Sequence, residues 1–204
     1  AWLLAHDTDS ISPAQAHAFE TDCQRRATGE PLAYIVGAKS FFSLDLQVGP
    51  GVLVPRPDTE VLVQWALDLL DGSTIDNPAP AVLDLGTGSG AIALAIKHER
   101  PQAHVCAVDA SAAALAVAQQ NAQRLGLAVR FLQGSWLAPV AEQQFDLIVS
   151  NPPYIAEGDP HLSALRHEPL SALTAGADGL DDLRTLINQA PDRLRTGGWL
   201  LLEH

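Results

Sequence analysis

Residues 81–202 alternate strand-sized and helix-sized segments, and this alternation constrains the fold more than any other feature of the chain. Segments 81–85, 103–108, 128–132 and 145–149 read as strands, as does 199–202 after the Gly197-Gly198 turn. Between them lie three helical stretches: 90–99, a segment from the Ser111 cap to about Leu125 closed by Gly126, and 180–194. Strands alternating with helices of this length predict an α/β fold, a doubly wound, mostly parallel sheet covered on both faces. Right-handed crossovers then bring the loops that follow the strands to one sheet edge.

Upstream the period changes. Ser12-Pro13 is an N-cap with proline at the first helical position, Ala16, Phe19 and Cys23 form an apolar stripe, and Gly29 ends the helix. Phe42, Leu44 and Leu46 alternate with Ser43, Asp45 and Gln47, and Gly49-Pro50-Gly51 turns the chain into Val52-Leu53-Val54, which reads as a β-hairpin. Pro55-Arg56-Pro57 is a stiff link, after which Asp58 or Thr59 caps a helix to about Leu70, followed by a polar loop at 71–80. The expected division is 1–38, part of a small helical domain; 39–57, a hairpin linker; and 58–204, the sheet-forming domain. The chain opens inside an apolar helix-like run at 1–5 and closes directly after a strand, so it reads as part of a longer protein, its last strands missing.

Of the 204 residues 47% are hydrophobic and 18% charged, enough apolar surface for a sizeable core. No apolar run reaches the roughly 18–20 residues of a membrane span. Twelve Lys and Arg stand against 24 Asp and Glu, a net charge of −12, which disfavours sequence-blind nucleic-acid binding. Cys23 and Cys106 make neither a disulfide framework nor a zinc site, and both read as buried core thiols. A reducing cytoplasm fits, no secretory leader is seen, and His161 and His167 lack partners at metal spacing.

The first strand of the alternation runs into Asp84-Leu85-Gly86-Thr87-Gly88-Ser89-Gly90-Ala91. Glycines at 86, 88 and 90 remove side chains that would hold a ligand off the backbone, and the following helix presents free N–H groups. Asp109 closes the second strand, nineteen residues past Gly90, where a carboxylate binds ribose hydroxyls. These features fit a dinucleotide site and an S-adenosylmethionine site alike. Asp84 either orients this loop or meets the cofactor's amino-acid end.

The strand at 145–149 ends in Ser150-Asn151-Pro152-Pro153-Tyr154, a far more specific signal. Two successive prolines remove two backbone donors and fix φ at both positions, leaving carbonyls as oriented acceptors. Asn151 adds a side-chain carbonyl, and Tyr154 an aromatic face and a hydroxyl. Two such acceptors grip both hydrogens of a planar –NH2 group. An amide nitrogen is a poor nucleophile, so orientation and electrostatics carry its alkylation, without a strong general base.

The Asn-Pro-Pro-Tyr loop after a glycine loop resembles methyltransferases acting on planar nitrogens. The segments Gly29-Glu30-Pro31-Leu32-Ala33-Tyr34-Ile35-Val36-Gly37, Phe41-Phe42 and Val54-Pro55-Arg56-Pro57-Asp58-Thr59-Glu60 narrow the likeness, with 84–96, 150–155 and 197–204, to release factor glutamine methyltransferases of the HemK/PrmC type. The resemblance covers nearly the whole chain. It implies an S-adenosylmethionine-dependent enzyme of class I, Rossmann-like fold, with 58–204 as the catalytic domain. The implied reaction methylates the side-chain amide of the glutamine in the Gly-Gly-Gln motif of class 1 peptide release factors, in the cytoplasm, with no metal, membrane or direct nucleic-acid partner. Residue by residue, it implies cofactor contacts at Gly86, Thr87, Gly88, Ser89, Gly90, Asp109, Trp136 and Asn151, glutamine binding at Asn151, Pro152, Pro153 and Tyr154, and catalysis by Asn151, Pro152 and Tyr154. Ser135 departs from the family, which commonly carries an acid there. Three alternatives stay open: a glutamine methyltransferase of a large-subunit ribosomal protein, a nucleic-acid amino-methyltransferase, and a non-catalytic S-adenosylmethionine-binding module.

Overall fold

The structure, a computed structural model, describes residues 5–72, 75 and 77–204. All but Ala5 of the opening helix-like run, and part of the polar loop at 71–80, lie outside the described residues. In chain order the elements are α1 (Pro13–Ala27), α2 (Leu32–Val36), β1 (Ala38–Phe41), β2 (Leu44–Gln47), α3 (Thr59–Asp71), β3 (Ala81–Leu85) and α4 (Ala91–Glu99). Then come β4 (His104–Asp109), α5 (Ala112–Leu125), β5 (Arg130–Gln133), β6 (Phe145–Ser150), α6 (Asp181–Gln189) and β7 (Leu194–Leu202).

Strands β3 to β7 form one parallel sheet in the order β5-β4-β3-β6-β7, the doubly wound arrangement expected. Period-two alternation feeds both faces. Along β3, Val82 joins the cluster beneath α3 and α4, while Leu83 and Leu85 join Leu186 of α6 on the other face. The chain leaves β3 toward β4 and later returns to β6 on β3's other side. The loops after β3 and β6 therefore diverge at a topological switch point, where α/β sheets open a crevice.

Three expectations need correction. The hairpin does not turn at Gly49-Pro50-Gly51. It pairs Phe41 with Leu44 around Phe42 and Ser43, whose φ values are 44° and 66°. Residues 49–54 form no strand because their donors go elsewhere: Val52 N–H to the Gly49 carbonyl, and Val54 N–H to Glu168 Oε2 at 2.9 Å. Next, α1 has its reciprocal Ser12–Gln15 cap but buries no residue. No described element covers its apolar stripe, so Phe19 is 70% exposed and Cys23 is exposed, whereas Cys106 is buried in the sheet. Finally, α6 stops at Gln189. Pro191 lacks the N–H that would extend it, a 3-10 turn follows, and β7 starts at Leu194.

Asn121 of α5, fully buried, joins the hairpin to the loop after β3. Its Oδ1 accepts from Gln47 N–H at 2.7 Å, and its Nδ2 donates to the Gln47 and Ser89 carbonyls, each at 3.0 Å.

Candidate functional site

The loop after β3 is folded back onto β4. The N–H groups of Gly86 and Thr87 both donate to the Val108 carbonyl, at 2.9 and 3.1 Å. Asp109 closes the arrangement: Oδ2 accepts from Gly88 N–H and Oδ1 from Ser111 N–H, each at 2.8 Å. Beside this loop opens a cavity of about 280 Å³ lined by Gly86, Gly88, Asp109, Ser135, Trp136 and Asn151, among others. A Cβ at Gly86 would meet the Trp136 ring at 3.5 Å, whereas one at Gly88 would meet no protein atom within 4 Å. Trp136 is held at φ 47° and donates through Nε1 to Asp182 Oδ1 at 3.2 Å. Burial raises the Asp182 carboxyl above its usual range, opposed by this bond.

Thr87, Ser89 and Gly90 do not line the cavity. Thr87 Oγ1 donates to Asp84 Oδ2 at 2.6 Å, the Ser89 carbonyl is taken by Asn121, and Gly90 caps α4 at φ 86°. A Cβ at Gly90 would sit 2.9 Å from Leu94 Cδ1, so that glycine lets helix and loop close up.

Asp84 orients the loop from the core. It is fully buried, its Oδ2 also accepts from Ala93 N–H at 3.1 Å, and its Oδ1 has no partner. Burial pushes this carboxyl up to about 7, against its two hydrogen bonds, with Asp109 adding repulsion. The folded chain thus holds more protons than the unfolded one between pH 3.8 and about 7, and stability falls as pH rises through that window. Asp84→Asn removes this titration. Urea unfolding at about pH 5 and pH 8 is expected to show the wild type losing more stability than the variant across that interval; equal losses would refute the assignment.

After β6 the chain enters Asn151-Pro152-Pro153-Tyr154. Ser150 Oγ donates to the Leu85 carbonyl at 2.7 Å and locks the ends of β6 and β3 together. Asn151 Nδ2 donates to Thr59 Oγ1, at the start of α3, at 3.2 Å. Among the described residues no donor reaches the Asn151 or Pro152 carbonyl. A second cavity, about 90 Å³, is lined by Leu53, Arg56, Asn151, Pro152, Pro153, Tyr154, Ile155, Leu165, Ala172 and Leu173. Leu53, Asn151, Pro153 and Ala172 line both cavities, so the two meet at this loop.

The loop is braced from two sides. Below it, Glu168, 8% exposed, accepts from Val54 N–H and from Arg56 Nη2 at 2.5 Å, so Arg56 holds the linker. Tyr34 hydroxyl donates to the Val52 carbonyl in the same layer. On the far side Ile155 bridges Thr174, with Ile155 N–H to the Leu173 carbonyl at 2.9 Å and Ala175 N–H to the Ile155 carbonyl at 3.1 Å.

The cofactor-side positions Gly86, Gly88, Asp109 and Trp136 thus converge with Asn151, and Pro152, Pro153 and Tyr154 with the second cavity. Thr59, one of two cap candidates, belongs to the site instead, while Asp58 occupies the cap position without a side-chain bond. Phe42 packs on the core, His161 pairs with Asp159 at the surface, and His167 contacts the Thr28 carbonyl. Sequence reasoning missed Asp182, Glu168 and Glu203, the last brought beside Asn151 by its N–H bond to the Ser150 carbonyl at 3.1 Å. Each is distant in sequence from its partner, and the spacing carries no signal for any of them.

Among the described residues no group of three or more His, Cys, Asp or Glu could hold a metal, and no helix is long and apolar enough to cross a membrane. A family model for the methyltransferase small domain matches residues 67–172, and one for the PrmC N-terminal domain matches 1–37. A release factor glutamine methyltransferase of Bordetella pertussis is 53% identical over 207 residues, spanning 100% of this chain and 75% of its own. The Escherichia coli protein of the same name is 45% identical over 206 residues, spanning 100% of this chain and 73% of its own. Among solved structures, a T. thermophilus 16S rRNA N2 G1207 methyltransferase in complex with AdoMet and guanosine is 25% identical, with a TM-score of 0.60, over 81% of this chain and 40% of its own. Identical at half of its positions to one such relative along its whole length, the chain belongs to the release factor glutamine methyltransferase family.

Proposed function

We propose that this protein methylates the side-chain amide nitrogen of the glutamine in the Gly-Gly-Gln motif of class 1 peptide release factors, in the cytoplasm, with S-adenosylmethionine as methyl donor. The observation that carries the reading is the meeting of the two cavities at Asn151 and Pro153. One cavity has the carboxylate, aromatic ring and side-chain-free backbone that suit a nucleoside with an amino-acid tail. The other has carbonyl acceptors and a tyrosine that suit a flat carboxamide.

The residues fit the cofactor on a specific ground: Gly88 lines the first cavity, and a Cβ there would meet no protein atom within 4 Å, so the room beside that backbone is open to a ligand. In this reading Gly86, Gly88, Asp109, Trp136 and Asn151 hold it, and Thr87, Ser89 and Gly90 shape the loop. S-adenosylmethionine, when bound, would supply a methyl group on a sulfonium, leaving as S-adenosylhomocysteine while one amide proton is released to solvent. Asn151 Oδ1 and the Pro152 carbonyl accept the two amide hydrogens, turning the nitrogen lone pair toward the cofactor cavity. Tyr154 packs against the plane of the carboxamide. We extend the reading to the chain's organisation: 1–38 is part of an N-terminal helical domain, 39–57 the β-hairpin linker and 58–204 the catalytic domain. The charge of −12 suits a release factor whose ribosome-binding face is basic.

The likeness to a ribosomal RNA enzyme supports a nucleic-acid substrate, but the same charge opposes it. One assay decides. Labelled S-adenosylmethionine and full-length enzyme are incubated with a release factor, with that factor carrying Gln→Ala in its motif, with ribosomal protein, and with DNA or ribosomal RNA. Label on the unaltered release factor alone is expected; label on the nucleic acid overturns the reading.

A further inference from the structure

An asparagine amide is nearly symmetric in shape, yet one end accepts and the other donates. If Asn151 is to receive an amide hydrogen from the substrate, something must keep its oxygen, not its –NH2, at the junction of the cavities. Thr59 alone cannot do this, because a hydroxyl both donates and accepts and so satisfies either orientation.

Glu203 removes that freedom. Its N–H donates to the Ser150 carbonyl at 3.1 Å, which carries the pairing of β7 with β6 one residue past Leu202 and brings residue 203 alongside Asn151. Burial raises the Glu203 carboxyl above its usual range, opposed by the neighbouring Thr59 hydroxyl, with the charge of Asp58 adding to the rise and the Asn151 amide opposing it. Its Oε2 is buried and has no partner. The carboxylate is therefore a partly dehydrated group that only accepts. Lying beside both side chains, it draws the Thr59 hydroxyl hydrogen toward itself, which leaves Thr59 Oγ1 as an acceptor facing Asn151, and it favours the –NH2 end of Asn151 directly. Asn151 must then present Nδ2, as observed at 3.2 Å, and planarity of the amide turns Oδ1 the other way.

We propose that Glu203 is a positioning residue which, directly and through Thr59, fixes the Asn151 amide with its carbonyl oxygen toward the substrate. The proposal rests on the reading that Asn151 binds the glutamine carboxamide. It requires the ends of three elements, the start of α3 and the carboxyl ends of β6 and β7, to meet at one hydrogen-bond chain.

The test measures kcat, KM for the release factor, S-adenosylmethionine affinity and melting temperature in full-length protein. Thr59→Val keeps the side-chain shape and is expected to lower kcat by about 10–100-fold, as loss of one aligned polar contact does, with KM and cofactor affinity within about threefold. Thr59→Ser restores the rate to within about threefold of wild type. Glu203→Ala is at least as slow as Thr59→Val, and the double variant is no slower than the slower single one, because both act on the same amide. A merely structural role predicts multiplying effects, a lowered melting temperature and no rescue by serine. Wild-type kcat in Thr59→Val, or multiplying effects in the double variant, overturns the proposal while the substrate assignment stands. A wild-type enzyme that labels nucleic acid instead of the release factor overturns the assignment and the proposal together.

Discussion

Replacing Asn151 with alanine is expected to lower kcat for release factor methylation by about 10²–10³-fold, the loss typical of removing one preorganised polar contact at a reacting centre. Among the described residues the amide is the one polar side chain that lines both cavities, so no described neighbour is placed to substitute for it. Asn151→Asp is expected to be no better, because a second carboxylate would face the region of Glu203 and could not donate to Thr59. Initial rates with labelled S-adenosylmethionine, alongside cofactor titration calorimetry, separate chemistry from binding. A rate within threefold of wild type would mean that the carboxamide is held elsewhere.

Gly179→Ala is expected to lower stability by about 2–4 kcal/mol and to cut kcat/KM for the release factor at least tenfold. Gly179 has a φ of 78°, and an added Cβ would lie 2.4 Å from the Tyr154 carbonyl oxygen and 3.0 Å from the Ala156 nitrogen. Both obstacles are backbone atoms, so no rotamer change relieves them. The segment 173–179 must retreat, which loosens the Ile155 bridge and releases Tyr154. Gly179 does not line the cofactor cavity, so S-adenosylmethionine affinity should change by less than about threefold. Gly158→Ala is the control: its φ is 85° but an added Cβ meets nothing within 4 Å, so it pays only the left-handed penalty of about 1–2 kcal/mol. Equal denaturation midpoints for the two variants would show that the contact with Tyr154 does not matter.

The sheet is legible in the sequence because a strand buried on both faces must be apolar in consecutive positions, as in Val82-Leu83 and Leu147-Ile148-Val149. The glycine loop and the Asn-Pro-Pro-Tyr turn are legible for a related reason: each constrains backbone geometry that few residue types satisfy. The hairpin turn is not, since Phe42 and Ser43 take positive φ where glycine or asparagine normally marks such a turn, and tertiary packing overrides their preference. Cys23 misleads for a different reason: a period of three and four predicts a buried face only if something packs against it. The bracing of the site is hidden because it is non-local. Arg56 finds Glu168, and Thr59, Asn151 and Glu203 gather from three parts of the chain, with no local pattern to announce either group.

Asn121 gives the molecule a mechanical property. By satisfying its carboxamide between Gln47 and Ser89, it rivets the hairpin to the glycine loop after β3, and the segment that reads as a tether behaves as a bracket. Any displacement of that bracket therefore pulls on the backbone at Ser89, between Gly88 and Gly90, through a single side chain.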